Sequence, residues 1–346
     1  MDDKFKYIKP EGEYKLKSFV GVLLVNLGTP QEPTASSIRT YLREFLSDRR
    51  IVELNPVLWK FILNGFVLPF RPKKMVPKYK EIWAKYNKSP LLYHTENLRE
   101  NLDEYMPSFM YVAHAMTYGE PSIKDALEYL RQRLCGERVI VVPLYPQFSA
   151  STTGAVFDAV ARTVKEMKDF PELRFIKSYY RFPEYIECIA NSIKAYWAEN
   201  GQPDRLLCSF HGLPQSMIDA GDPYYSECLH TVELIKAALP QDGPQVDIAF
   251  QSKFGREKWI KPSSESVIRS YPSQGVKNLH VIAPGFAVDC IETIDEIDRE
   301  LRDVFMNSGG EKFGYIPCLN SSEEWCETLN EIVYHHIFDW RNPCSD

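Results

Sequence analysis

Short apolar runs alternate with helical patterns along nearly the whole chain. The runs that read as strands are Val20–Leu27, Phe109–Met116, Arg138–Tyr145, Leu173–Tyr180, Arg205–Phe210, Val246–Gln251, Leu279–Ala283 and Phe313–Cys318. Most are rich in Val, Ile and Leu, as strands buried on both faces should be. Helical patterns such as SIKDALEYLRQRL and EYIECIANSIKAYWAEN lie between them. Strand–helix–strand order predicts parallel sheets with helices on both faces. Eight strands in 346 residues predict an α/β protein of two doubly wound domains, each with a four-stranded parallel sheet.

A faint internal repeat supports two halves. NLGTP (Asn26–Pro30) and FHGLP (Phe210–Pro214) both close a strand with Gly-x-Pro. YPQFSAS and APGFAVD both carry Pro-x-Phe after a strand, at Pro146/Phe148 and Pro284/Phe286. The signals recur in the same order, and loops at the carboxyl ends of such strands are where open α/β sheets bind ligands. The expected boundaries are 18–175 and 176–320, followed by a C-terminal helix, 321–346, packing back across both.

One segment breaks the rhythm, at about 55–90. NPVLWKFILNGFVLPFRPKKMVPKYK (Asn55–Lys80) sets ten apolar side chains, from Val57 to Phe70, ahead of a basic cluster. It reads either as a core helix followed by a solvated turn, or as an apolar lip for a membrane or a flat apolar ligand.

Composition adds limits. Apolar residues make up 44%, charged residues 25% and the formal net charge is −6, so nothing global suggests nucleic acid. Eight cysteines without a C-x-x-C pair fit a reducing compartment better than a disulfide scaffold. The opening MDDKFKYIKPEGEYK lacks a signal-peptide core, and no run of about 18 apolar residues marks a membrane span. The expectation is a cytoplasmic protein.

The candidate chemistry centres on two stretches. HVIAPGFAVDCIETIDEIDREL (His280–Leu301) starts as a strand and ends as an acidic helix. Asp289 and Glu292 have the spacing of a capping box, with Ile291, Ile294, Ile297, Leu301 and Phe305 as the buried face. The simpler reading is a capped helix with a wet acidic side. A widening to π geometry would instead line up Glu292, Glu296 and Glu300, a ladder that protons or a cation must neutralise. In CSFHGLP, His211 ends an apolar strand before a glycine turn, where an imidazole can accept a proton near neutral pH. LGTP and STTG lack dinucleotide and P-loop spacing, and Gly-x-Ser-x-Gly is absent.

Taken together, SFHGLP, QSKFG with Trp259, PGFAVDCIET and YPQFSASTTG resemble the ferrochelatases, from about Val20 to His336. The resemblance implies two Rossmann-like domains with a cleft between them. It implies a lyase, a metal chelatase that inserts Fe²⁺ into protoporphyrin IX to form protohaem, releasing two protons. By matching motifs, His211 and Glu292 are the catalytic pair and meet the metal. Glu296 and Glu300 continue a carboxylate row, on a helix with a π-turn, as a metal or proton relay. Asp289, Phe286, Trp259 and Tyr118 match residues lining the macrocycle, Leu27 lies over its opposite face and Ser89 near the propionates. Arg71 aligns loosely with a propionate partner.

The sequence departs from the family in places. Thr117 stands where Arg is frequent, and Cys290 where many members have His. Ala150 replaces a Cys of the cluster-bearing type, and the tail offers only Cys344, so no iron–sulfur cluster and no permanently bound cofactor are expected. Fe²⁺ is a substrate. The expected partners are protoporphyrin IX and Fe²⁺, with no nucleic acid, and peripheral contact at the inner face of the membrane through residues 57–74. The alternatives are a coproporphyrin ferrochelatase, a cobalt chelatase, or a non-enzymatic haem or metal carrier.

Overall fold

The computed structural model describes residues 19–134, 138–253 and 257–340. The opening MDDKFKYIKPEGEYK, Phe254 and Gly255 of the QSKFG stretch, and Cys344 lie outside them.

All the expected strands form. They are β1 (Val20–Gly28), β2 (Met110–Tyr118), β3 (Arg138–Pro143), β4 (Glu172–Phe175), β5 (Arg205–His211), β6 (Gln245–Gln251), β7 (Asn278–Ile282) and β8 (Lys312–Ile316). They build two four-stranded sheets, ordered β2-β1-β3-β4 and β6-β5-β7-β8. Every pairing is parallel. The two orders are the same, so NLGTP and FHGLP end equivalent strands, β1 and β5. YPQF and APGF follow β3 and β7.

The largest departure is at β4, expected to reach Tyr180. Its register with β3 stops where Val141 pairs with Phe175, and β3 itself ends at Pro143. Beyond Phe175 one more bond reaches the sheet, from Ile176 N–H to Val141 O. The N–H groups of Tyr179 and Tyr180 then both go to Pro146 O. An edge strand without a partner turns away from the ladder.

The chain divides into two compact units. The first holds residues up to Leu144, Ala150–Lys177 and those from Leu329 on; the second holds Tyr145–Ser149 and Ser178–Thr328. In the first, β1 is buried along its length except at Leu27. It ends at Gly28 with φ 109°, where a Cβ would fall 1.8 Å from Tyr118 O, so only glycine fits. In the second, Leu279 and Val281 of β7 and Ala283 just after it pack with Ile297, Leu301 and Phe305. That core pins the acidic helix to the sheet.

The expected lip comprises the helix Pro56–Ile62, a π-turn Leu63–Val67 and the helix Leu68–Tyr86. No side chain of Pro56–Ile62 is buried, which removes the core-helix reading. Val57, Leu58, Phe61, Phe66 and Phe70 are each more than half exposed. Between Leu54 and Lys80 there are six Lys or Arg residues and no acid.

Candidate functional site

His211 is the last residue of β5, and Gln251, its register partner, is the last of β6. The helix that follows β7 runs as a π-helix over Glu292–Leu301. β5 and β7 are neighbours on which the chain continues outward in opposite directions. Their carboxyl ends therefore mark the switch point where such sheets bind ligands.

Hydrogen bonds tie these ends together. Gly212 donates its N–H to Gln251 O at 2.8 Å. Gln251 Nε2 donates to Glu292 O at 2.9 Å. Ser209 Oγ holds the same amide by donating to Gln251 Oε1 at 2.7 Å. Gly212 permits this closeness: a Cβ there would lie 2.7 Å from Gln251 O and 3.1 Å from the Trp259 ring. Gln251 thus links the turn after the histidine to the first turn of the acidic helix.

The imidazole is oriented. His211 Nδ1 lies 2.7 Å from Gly212 O. A carbonyl only accepts, so neutral His211 carries its proton on Nδ1 and has Nε2 as its acceptor nitrogen. His211 is half-buried.

π geometry sorts the acids. Thr293, Ile297, Leu301 and Phe305, at steps of four, are the buried line. Glu292, Glu296 and Glu300 follow one residue earlier at the same step, grading from half-buried to exposed. An α-helix would rotate such a row by about 40° per step; the wider π turn keeps it on one face. The other two acids are taken up by arginines. Buried Asp295 accepts from Arg299 Nε at 2.6 Å, and Asp298 accepts from Arg302. The expected face is corrected here, since Ile291 and Ile294 are only half-buried while Thr293 and Asp295 are buried.

Glu296 is gripped from the end of β6. Ser252 donates its N–H to one carboxylate oxygen at 2.7 Å and its hydroxyl to the other at 2.5 Å. Ser252 adopts φ 66°, a strained backbone for a non-glycine residue. Burial still holds the Glu296 carboxyl above its usual range, against Ser252 and nearby His211, which pull it down; Glu292 pushes it up. Those influences place His211, Glu292 and Glu296 in one electrostatic cluster. Sequence reasoning missed Ser252 and Gln251 as side chains with roles, although both lie in the quoted QSKFG stretch.

The expected capping box does not form. Thr293, not Glu292, turns back: its Oγ1 accepts from Cys290 N–H at 3.0 Å and donates to Asp289 Oδ1 at 2.9 Å. Asp289 is 5% exposed. Its carboxylate also accepts from Tyr315 Oη at 2.5 Å and Asn320 Nδ2 at 2.7 Å. Both oxygens are occupied, so Asp289 braces the helix start. Trp259 is half-buried beside Gly212, and Phe286 packs half-buried on the β7 core.

The remaining predicted residues lie in the first unit. Leu27 is the partly exposed residue of β1. Tyr118 is buried and donates its hydroxyl to Asp48 at 3.0 Å. Ser89 is buried at the start of the helix Pro90–Tyr105. Arg71 is half-buried, and burial pushes its pKa down. Among the described residues no three His, Cys, Asp or Glu side chains form a metal-holding group.

Comparison with known proteins agrees along the chain. The family model described as Ferrochelatase matches residues 19–337. The ferrochelatase of Methylococcus capsulatus is 47% identical over 317 residues, covering 92% of this chain and 96% of that protein. The ferrochelatase of Bordetella pertussis is 44% identical over 324 residues, covering 93% and 89%. Among solved structures, SirB from Bacillus subtilis with Fe³⁺ aligns at TM-score 0.56 and 11% identity, covering 95% of this chain and all of that one. CbiX, the terminal enzyme of sirohaem biosynthesis in denitrifying bacteria, aligns at TM-score 0.51 and 13% identity, covering 91% and 98%. At those identities the two structures are similar in fold alone.

Proposed function

This chain belongs to the ferrochelatase family, lyases that insert iron into a porphyrin, and on that premise we propose how its own residues perform the insertion. The observation that carries the reading is His211 with Nδ1 fixed on Gly212 O, which makes Nε2 its acceptor nitrogen, in the same cluster as Glu292 and Glu296.

Metallation removes two pyrrole protons and delivers one dehydrated divalent ion. His211 takes the first proton on Nε2, with Gly212 O steadying the imidazolium through Nδ1–H. Glu292 stands at the inner end of the acid row, to hand over Fe²⁺ or take the second proton. Glu296, held above the usual carboxylate range by burial, accepts a proton readily, and exposed Glu300 passes it to solvent. A transient oxygen and nitrogen set suits this task, since a closed cage would not release the metal. Trp259 and Phe286 offer partly exposed apolar surface for the macrocycle, and Leu27, within its own unit, is a further partly exposed apolar side chain proposed for substrate contact. The proposed substrate-binding set also includes Asp289, Ser89 and Tyr118, each of them buried. The substrate proposed is protoporphyrin IX, the more apolar ring, with Fe²⁺ as co-substrate and no resident cofactor or iron–sulfur cluster.

The lip from residue 57 to 74 is proposed to rest on the inner face of a membrane as a peripheral contact. Exposed aromatics beside lysines suit a lipid interface, and no helix among the described residues is long and apolar enough to cross one.

The test is anaerobic insertion of Fe²⁺ into protoporphyrin IX and coproporphyrin, followed by loss of the free-base spectrum. His211→Ala and Glu292→Gln should each abolish insertion while porphyrin still quenches tryptophan fluorescence. Full activity in either variant overturns the assignment. An unchanged free-base spectrum with the unaltered protein supports a carrier instead.

A further inference from the structure

Three described non-glycine residues adopt positive φ: Asn87, Ser252 and Asn320. Asn87 ends a helix. The other two each clasp a carboxylate of the acidic segment. Ser252 holds Glu296 from the end of β6. Asn320, at φ 54°, reaches Asp289 from the loop after β8.

The Asn320 clasp is two-pronged. Its Oδ1 accepts from Asp289 N–H at 2.8 Å, and its Nδ2 donates to Asp289 Oδ2 at 2.7 Å. Backbone N–H only donates and a carboxylate only accepts, so one orientation of the amide satisfies both. Its own N–H goes to Ala287 O at 3.0 Å. The side chain therefore fixes both the backbone and the carboxylate of Asp289, and Asp289 fixes Thr293, the residue after Glu292. Tyr315 adds a third donor to the same carboxylate. A left-handed backbone is uncommon outside glycine, and such strain persists where the surroundings over-determine it.

We infer that Asn320 is a positioning residue for metal insertion, acting through Asp289 and Thr293 to hold the π-helix start that presents Glu292. This rests on the reading of Glu292 given above. Asn320 touches neither porphyrin nor metal. What it contributes is the angle and height of Glu292 relative to His211, so its loss should act on the chemical step more than on substrate binding.

Glycine separates the two reasons an asparagine could stand here. Asn320→Gly keeps the left-handed backbone and removes the clasp. Asn320→Asp keeps the shape but replaces the donor with a second carboxylate facing Asp289. Insertion rates, KM for both substrates and thermal midpoints are measured on the full chain for both variants, Tyr315→Phe and the Asn320→Gly/Tyr315→Phe double variant. Glu292→Gln serves as the inactive reference.

The expected result is a kcat lowered roughly tenfold in Asn320→Gly and further in Asn320→Asp, as loss of an outer support costs metal enzymes. KM and the Asn320→Gly midpoint should stay near those of the unaltered protein. Tyr315→Phe should overlap with Asn320→Gly rather than add to it, because both act through one carboxylate. An unchanged kcat in Asn320→Gly, with Glu292→Gln inactive, overturns this inference and leaves the reading of Glu292 standing. A rate loss that follows the fall in thermal midpoint across the variants also overturns it. Activity in Glu292→Gln removes the reading beneath it.

Discussion

Ser252 grips Glu296 with two hydrogen bonds, its backbone N–H to one oxygen and its hydroxyl to the other. Burial raises the carboxyl and this grip lowers it, so the pair sets how readily Glu296 takes a proton. Ser252→Ala removes the hydroxyl and keeps the N–H. Less support for the charged form leaves the carboxyl higher still. The acid limb of the pH–rate profile should therefore move to higher pH, with kcat at neutral pH lower by roughly tenfold. An unmoved acid limb in steady-state assays from pH 5 to 9 counts against Glu296 as a relay.

The row of acids should show a gradient. Glu296→Gln replaces a half-buried carboxylate at the centre of the cluster and should slow insertion strongly. Glu300 is exposed and lies 3.5 Å from Arg299 Nη2. Solvent can substitute for it, so Glu300→Gln should slow turnover by less than roughly tenfold. A stopped reaction in Glu300→Gln would mean that protons or metal have no other exit.

Glu296→Gln also has a stability consequence. A carboxyl raised by burial is disfavoured as its charged form in the folded state, so its burden is greatest above the raised pKa. The glutamine variant should melt at a higher temperature than the unaltered protein at pH 8, and the gain should shrink toward pH 4. Differential scanning calorimetry at both pH values checks this trade of stability against activity.

His280 predicts acid sensitivity unrelated to catalysis. It is fully buried in β7, edge-on to Tyr196, with neither ring nitrogen hydrogen-bonded among the described residues. Gly314 on β8 makes its room, since a Cβ there would lie 2.6 Å from the imidazole. Burial, aided by Lys312, pushes its pKa down to about 4 from 6.5. The unfolded chain binds the extra proton between those values. Stability is therefore complete above pH 6.5 and falls as pH drops toward 4, by up to roughly 3 kcal/mol from this group. His280→Phe should flatten that part of the stability curve in urea titrations at pH 7 and pH 5.

The lip yields a binding prediction. Phe61 and Phe66 are 73% and 68% exposed. Phe61→Ser with Phe66→Ser should weaken sedimentation with anionic vesicles by roughly tenfold or more. Vesicle binding that stays the same in the double variant would assign the patch to another partner.

Much of the fold was legible because a parallel strand buried on both faces must be apolar throughout. The Val-, Ile- and Leu-rich runs therefore announced β1, β3, β5 and β7, and the turn motifs that follow them announced the repeat. His211 and the acids were legible because they interrupt those runs at strand ends. The capping box failed because spacing cannot say which side chain turns back, and Thr293 was better placed than Glu292. Ile291 and Ile294 were misplaced because periodicity assumes one helix type, whereas the π turn put Thr293 on the buried line with Ile297.

By itself the sequence determined the number and order of strands, the two equivalent halves and the positions of His211 and Glu292, since local composition and strand-end turns are written in consecutive residues. The pairs Arg299–Asp295 and Arg302–Asp298, four residues apart on one helix, are local too, whereas the tertiary structure decided which distant segments grip the acids. It alone showed Ser252 on Glu296 and Asn320 on Asp289, contacts 44 and 31 residues apart along the chain. Hydrogen bonds between distant segments depend on where the sheet brings their ends, and no local pattern encodes that.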